Sequence, residues 1–120
     1  MKFHNKVVWI TGASSGIGEA LAYELSRKNC KLILSARSIE NLERVKSKCV
    51  HSDVAVLPFD LADFNKAKNQ AATAISFFGK IDILINNGGV SQRSMLAETD
   101  FEVDKKLIEV DYLGTVALSK

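Results

Sequence analysis

The stretch Thr11-Gly12-Ala13-Ser14-Ser15-Gly16-Ile17-Gly18 places three glycines in eight residues, directly after an apolar run and directly before a segment of helical character. In that setting Gly12 permits a tight turn, Gly16 lets the backbone come close to a ligand, and Gly18 lets the following helix pack closely on the sheet. The free N–H groups and positive dipole end of that helix then suit an anion, and a pyrophosphate is the natural guest. Ser14 and Ser15 add hydroxyl donors at the rim, so Gly12, Ser14, Ser15, Gly16, Ile17 and Gly18 are the candidate contacts. A triphosphate-hydrolysing loop is disfavoured. It needs Lys and then Ser or Thr after its last glycine, whereas Gly16 is followed by Ile17 and Gly18 by Glu19. The competing reading is a Gly/Ser-rich turn with no ligand.

Two further clusters stand at the ends of later apolar runs: Asp60-Leu61, and Asn86-Asn87-Gly88-Gly89. Read alone, Asp60 is an N-cap for a helix starting at Asp63, and the Asn/Gly run is a turn. Read with Thr11-Gly-x-x-x-Gly-x-Gly18, the three motifs in order resemble the short-chain dehydrogenase/reductase family over essentially the whole chain. Gly88 stands where that family usually has Ala, which removes one methyl and leaves close approach possible. The resemblance implies that Asp60 contacts the adenine amino group and that Leu61 supplies backbone around the ring. It also implies that Asn87 and Gly89 border the adenosine ribose, with Gly88 between them a cofactor contact.

Cofactor choice turns on Ser35-Ala36-Arg37, at the end of the second apolar run. A fold selective for NAD(H) usually carries an acid there to hold the ribose hydroxyls. Ala36 does not repel a 2′-phosphate, and Arg37 offers it a planar, permanently charged fork. NADP(H) is therefore expected in preference to NAD(H). The alternative has Arg37 pairing with Glu40 on a solvated helix start.

The family's reaction is hydride transfer between a nicotinamide and a carbonyl or alcohol substrate, with a Ser and a Tyr-x-x-x-Lys as its acid/base machinery. Neither tyrosine supplies that motif: Tyr112 is followed four residues on by Val116, and Tyr23 by Arg27. Val110-Asp111-x-x-Gly114 resembles the segment of the family's fifth helix where an Asn helps shape the active site. Asp111 is thus a catalytic candidate, although an ionised carboxylate only accepts hydrogen bonds. The expectation is the NADP(H)-binding part of a short-chain oxidoreductase, inactive by itself; the alternative is a stand-alone dinucleotide-binding or sensing module.

The elements that must position these groups follow from the apolar pattern. Val7–Ile10, Leu32–Leu34, Val54–Leu57 and Ile81–Ile85 are short unbroken runs, as in strands buried on both faces. Between them, Ile17–Lys28, Ile39–Val50 and Asp63–Phe78 read as helices, the last closed by Gly79, and Pro58 falls at the end of the third strand. The alternation predicts a Rossmann-like, doubly wound parallel sheet in three α/β/α layers. The sheet order implied by the family is 3-2-1-4 with a fifth strand beyond. Thr99 and Glu102 have capping-box spacing, so a last helix is expected from Thr99 to the end of the chain, with Leu107, Val110, Gly114 and Ala117 on one face. Ending there would leave the fourth strand's edge bare unless it is paired, which predicts a chain that by itself is oligomeric, swapped or poorly stable, with a homo-oligomer expected.

Composition fits one domain over residues 1–120, the N-terminal part of a longer family domain. Of the 120 residues, 47% are hydrophobic and 25% charged, with seven glycines and one proline, so a core is affordable and low complexity is excluded. A net charge of +2 argues for neither nucleic acid nor an anionic membrane as partner. Met1–Lys6 has no apolar core of a signal peptide and no run is long enough to span a membrane, so the cytoplasm is the default address. Cys30 and Cys49 read as reduced thiols, and with His4 and His51 they lack metal-ligand spacing, so no metal is predicted.

Overall fold

A computed structural model describes residues 4–14, 16–50, 53–58, 64–87 and 108–111. In chain order the elements are β1 (Val7–Thr11), α1 (Gly16–Ser26), β2 (Lys31–Ser35), α2 (Ile39–Lys48), β3 (Val54–Val56), α3 (Phe64–Phe78), β4 (Ile83–Asn86) and β5 (Ile108–Asp111). All strand pairs are parallel, and the five strands lie in the order β3-β2-β1-β4-β5. This is the doubly wound, Rossmann-like arrangement expected from the sequence.

The strands read as continuous apolar runs because successive side chains point to opposite faces and both faces are covered. On one face Trp9 is aligned with Ile33 on β2 and Leu84 on β4, and these pack with Ala74 and Ile75 of α3. On the other, Val8 and Ile10 align with Leu32 and Leu34 and with Ile83 and Ile85, and pack with Ala22 and Leu25 of α1 and Leu42 and Val45 of α2. Burying an Ile, Leu or Val side chain in this way contributes about 1.5–3 kcal/mol, so this two-sided core dominates the stability of the sheet.

Local signals set where the helices start and stop. Ser38 caps α2 by accepting the Asn41 N–H at 3.2 Å. Gly79 ends α3 at φ 85°, with its N–H donating to the Ile75 carbonyl at 2.8 Å. The N–H of Leu57 extends the β3 ladder to the Leu34 carbonyl at 2.8 Å, and Pro58, which has no N–H to give, follows it. At the start of the sheet, Asp82 fixes the register of β4 on β1: its carboxylate accepts the Val7 N–H and its own N–H donates to the Val7 carbonyl, both at 2.9 Å.

One expectation is corrected. Residues 108–111, placed by sequence inside a final helix, form strand β5 on the open edge of β4, with Ile83 aligned to Ile108 and Ile85 to Val110. Ile108 and Val110 are β-branched and two apart, so they suit a pleated strand, and β4 offers an unfilled ladder of N–H and C=O groups that a helix would leave unpaired. The rest of the expected helix, from Thr99 to residue 107 and after Asp111, lies outside the described residues. With β5 seated, β4 has no bare edge, and the ground given for self-association does not hold there. Among the described residues no helix is long and apolar enough to cross a membrane.

Candidate functional site

The C-terminal ends of β1, β2 and β4 lie side by side at one edge of the parallel sheet, the position at which open parallel sheets have their ligand crevice. The glycine loop leaves β1 at Thr11 and turns at Gly12, whose φ of 66° is a conformation that glycine adopts without penalty. A side chain at Gly12 would also lie 3.0 Å from the Asn87 carbonyl oxygen and 3.1 Å from its side-chain nitrogen, so this turn fits only against β4. Gly18 has a different reason to be glycine. A methyl there would overlap the Gly12 carbonyl oxygen and come within 2.8 Å of the Gly12 carbonyl carbon and 3.0 Å of Ala13 Cα. The first turn of α1 thus lies directly on the loop.

Gly16 is the opposite case. It is exposed, has φ 57°, and a Cβ there would find no atom within 4 Å. Space, left-handed backbone and the opening N–H groups of α1 coincide at this point. Ile17 beside it is 47% exposed, an apolar side chain next to the open Gly16. These features fit a bound diphosphate: the backbone can approach it closely, and a dipole end faces it.

Buried and part-buried hydrogen bonds hold the loop to its neighbours. The Thr11 hydroxyl oxygen accepts the Asn87 N–H at 3.1 Å and lies 3.4 Å from both the Ile85 carbonyl and the Asn86 side-chain oxygen, either of which can take its proton. Asn87 also donates from its side-chain nitrogen to the Gly12 carbonyl at 3.3 Å. On the β2 side, the Ala13 N–H donates to the Ser35 carbonyl at 3.1 Å, while the Ser35 hydroxyl accepts the Trp9 indole N–H at 2.8 Å. Thr11, Ser35 and Asn86 are all buried.

Arg37 follows β2 at the rim and is exposed. Among the described residues its guanidinium makes no hydrogen bond or ion pair, and the alternative pairing with Glu40 does not form. Asp111 ends β5 in register with Asn86 at the same end of the sheet, not on a helix. Of the other candidates, Gly12, Ser14, Gly16, Ile17, Gly18 and Asn87 stand at this end of the sheet, on the loops and helix start that follow β1 and β4. Ser15, Asp60, Leu61, Gly88 and Gly89 lie outside the described residues, as does Tyr112. Tyr23 sits on α1 and is half-buried, its hydroxyl donating to Glu19 at 2.7 Å. Burial, and then this carboxylate, raise its pKa above the usual tyrosine value.

Sequence reasoning missed a second cluster. Arg44, from α2, donates from Nη1 to Glu19 Oε2 at 3.0 Å and from Nη2 to Glu19 Oε1 at 3.4 Å, and the same Nη2 reaches the Ser14 carbonyl at 3.0 Å. Hydrogen bonds from Arg44 and then Tyr23 hold the Glu19 carboxyl below the usual carboxylate range. Nothing local in the sequence signals a partnership between two residues 25 positions apart on different helices. Among the described residues no three His, Cys, Asp or Glu side chains are grouped to hold a metal ion.

The family model for short chain dehydrogenases matches residues 6–120. The human protein "Dehydrogenase/reductase SDR family member 7" is 52% identical over 120 residues, covering 95% of this chain and 35% of the relative. The Drosophila melanogaster "Dehydrogenase/reductase SDR family protein 7-like" is 46% identical over 129 residues, covering 99% of this chain and 40% of the relative. The chain therefore spans well under half the length of these curated relatives. Among solved structures, a metagenomic short-chain oxidoreductase in complex with NADP superposes with a TM-score of 0.69 at 30% identity, over 75% of this chain and 42% of that one. An NAD+-bound xylitol dehydrogenase does so with a TM-score of 0.70 at 28% identity, over 75% of this chain and 35% of that one.

Proposed function

The chain belongs to the short-chain dehydrogenase family, and from that premise we propose that its crevice holds NADP(H) for hydride exchange between the nicotinamide and a carbonyl or alcohol substrate. The observation that carries this reading is the pairing of an open, left-handed Gly16 at the α1 N-terminus with an exposed Arg37 just after β2, whose guanidinium has no partner among the described residues. The first supplies backbone donors for the diphosphate. The second supplies a guanidinium for a 2′-phosphate on the adenosine ribose, a charge-assisted bond worth roughly 1.5–3 kcal/mol.

When bound, the dinucleotide supplies the carbon that gives or takes the hydride. The chain's own residues bind and orient it. Thr11 and Asn87 fix the loop against β4, and Ser35 fixes it against β2. In this reading Ser14 and Ser15 donate at the rim of the diphosphate, Asp60 and Leu61 receive the adenine, and Asn87, Gly88 and Gly89 border its ribose. Asp111, level with Asn86, shapes the substrate end of the crevice.

Titration of the protein with NADPH and NADH tests the proposal. NADPH should bind about tenfold or more tightly than NADH, the equivalent of at least one charge-assisted hydrogen bond. Equal affinities overturn the 2′-phosphate reading, and absence of binding by either overturns the whole.

A further inference from the structure

We propose that Arg44 is a positioning residue for the diphosphate of the dinucleotide: by bridging Glu19 and the Ser14 carbonyl it braces the outer wall of the glycine loop and neutralises the acid in the first turn of α1. The inference rests on the reading above that this loop binds a diphosphate. It adds a residue from α2 that no glycine motif contains.

A carboxylate one residue past Gly18 stabilises an isolated helix start, but it opposes a second anion at the same dipole end. The conflict is resolved here by geometry. Both Glu19 oxygens face Arg44, at 3.0 and 3.4 Å, and Oε2 also accepts the Tyr23 hydroxyl at 2.7 Å, so the charge is spent on partners away from the crevice. Among the described residues, Arg44, Tyr23 and, at longer range, Lys48 are the charged or titratable groups that act on this carboxylate. The second arm of the same guanidinium takes the Ser14 carbonyl at 3.0 Å, which turns that oxygen outward onto α2. Engaged by Arg44, this carbonyl does not compete with a ligand for the N–H groups at the start of α1. Arg44 keeps 42% of its side chain exposed, so its replacement leaves the core intact.

The test compares Arg44→Gln, Glu19→Gln and the double variant, each titrated with NADPH and with 2′-AMP, which carries the 2′-phosphate but no diphosphate. Arg44→Gln should weaken NADPH roughly fivefold, as expected for an uncompensated charge at a helix N-terminus. It should leave 2′-AMP unchanged. Glu19→Gln added to Arg44→Gln should restore most of the lost NADPH affinity, because no unpaired carboxylate remains. Wild-type NADPH affinity in Arg44→Gln, equal losses for NADPH and 2′-AMP, or no rescue in the double variant would each overturn the proposal. Failure of the unaltered protein to bind NADPH would instead overturn the function proposed above.

Discussion

Thr11 and Asn87, 76 positions apart, tie the end of β1 to the end of β4 through a hydrogen bond of 3.1 Å in which the Asn87 N–H donates to the buried threonine hydroxyl. The side chain of Asn87 returns the connection by donating to the Gly12 carbonyl, so the glycine loop and the β4 turn are built as one unit. Thr11→Val keeps the shape and removes the acceptor. An N–H left unpaired in this way costs about 1–3 kcal/mol, so urea denaturation should show a loss of that order, and Thr11→Ser should lose markedly less. Equal losses for valine and serine would show that the methyl, not the hydroxyl, holds the junction.

Gly16 and Gly18 predict opposite phenotypes for the same substitution. Gly18→Ala drives a methyl into the backbone of Gly12 and Ala13, which cannot yield as a flexible side chain can. Its destabilisation should reach or exceed the upper end of the ~1–3 kcal/mol typical of overpacking. Gly16→Ala meets no atom but holds alanine at φ 57°, at a cost of about 1–2 kcal/mol. Its larger effect should be on NADPH affinity, since the methyl enters the space left for the ligand. Denaturation curves and NADPH titrations on both variants separate the two, and the ranking should invert between the measurements.

Arg37→Ala should weaken NADPH about tenfold or more, the equivalent of a charge-assisted hydrogen bond, and should leave NADH within about twofold. Because Arg37 is exposed, the thermal midpoint of the ligand-free protein should hardly move. Parallel losses for both nucleotides would point to a general electrostatic role rather than to recognition of the 2′-phosphate.

The four strands built on unbroken apolar runs were readable in the sequence because burial on both faces leaves no polar alternation to confuse them. Val7–Ile10 and Leu32–Leu34 became β1 and β2 almost residue for residue. The glycine loop was readable because each glycine answers a local demand of a strand-turn-helix junction. Residues 108–111 were not: Leu107, Val110, Gly114 and Ala117 fit a helical period, while Ile108 and Val110 fit a strand equally well, and only the vacant ladder of β4 decides between them. The Thr11–Asn87 and Arg44–Glu19 contacts were invisible for a related reason. They join positions whose proximity is created by the sheet and by helix packing, not by spacing along the chain.

Cys30 makes stability depend on alkaline pH. Its thiol is fully buried beneath α1 and donates to the Leu25 carbonyl at 2.9 Å, and burial pushes its pKa from the ordinary 9.0 up to about 11. Below pH 9 both folded and unfolded chains keep this proton, and the contribution to stability is complete. Between pH 9 and about 11 the unfolded chain gives the proton up while the folded chain retains it, so unfolding gains ground as pH rises through this window. Tyr23 and Cys49 are shifted in the same direction, each by burial first, so the unaltered protein should show a composite decline. Cys30→Ala isolates the share of one thiol: urea denaturation of both proteins from pH 8 to pH 11 should give a stability difference that is constant up to about pH 9 and shrinks above it. A difference that stays level across the whole range would mean that the thiol meets water before it titrates, and that the packing of Cys30 against α1 is looser than a 2.9 Å contact with Leu25 implies.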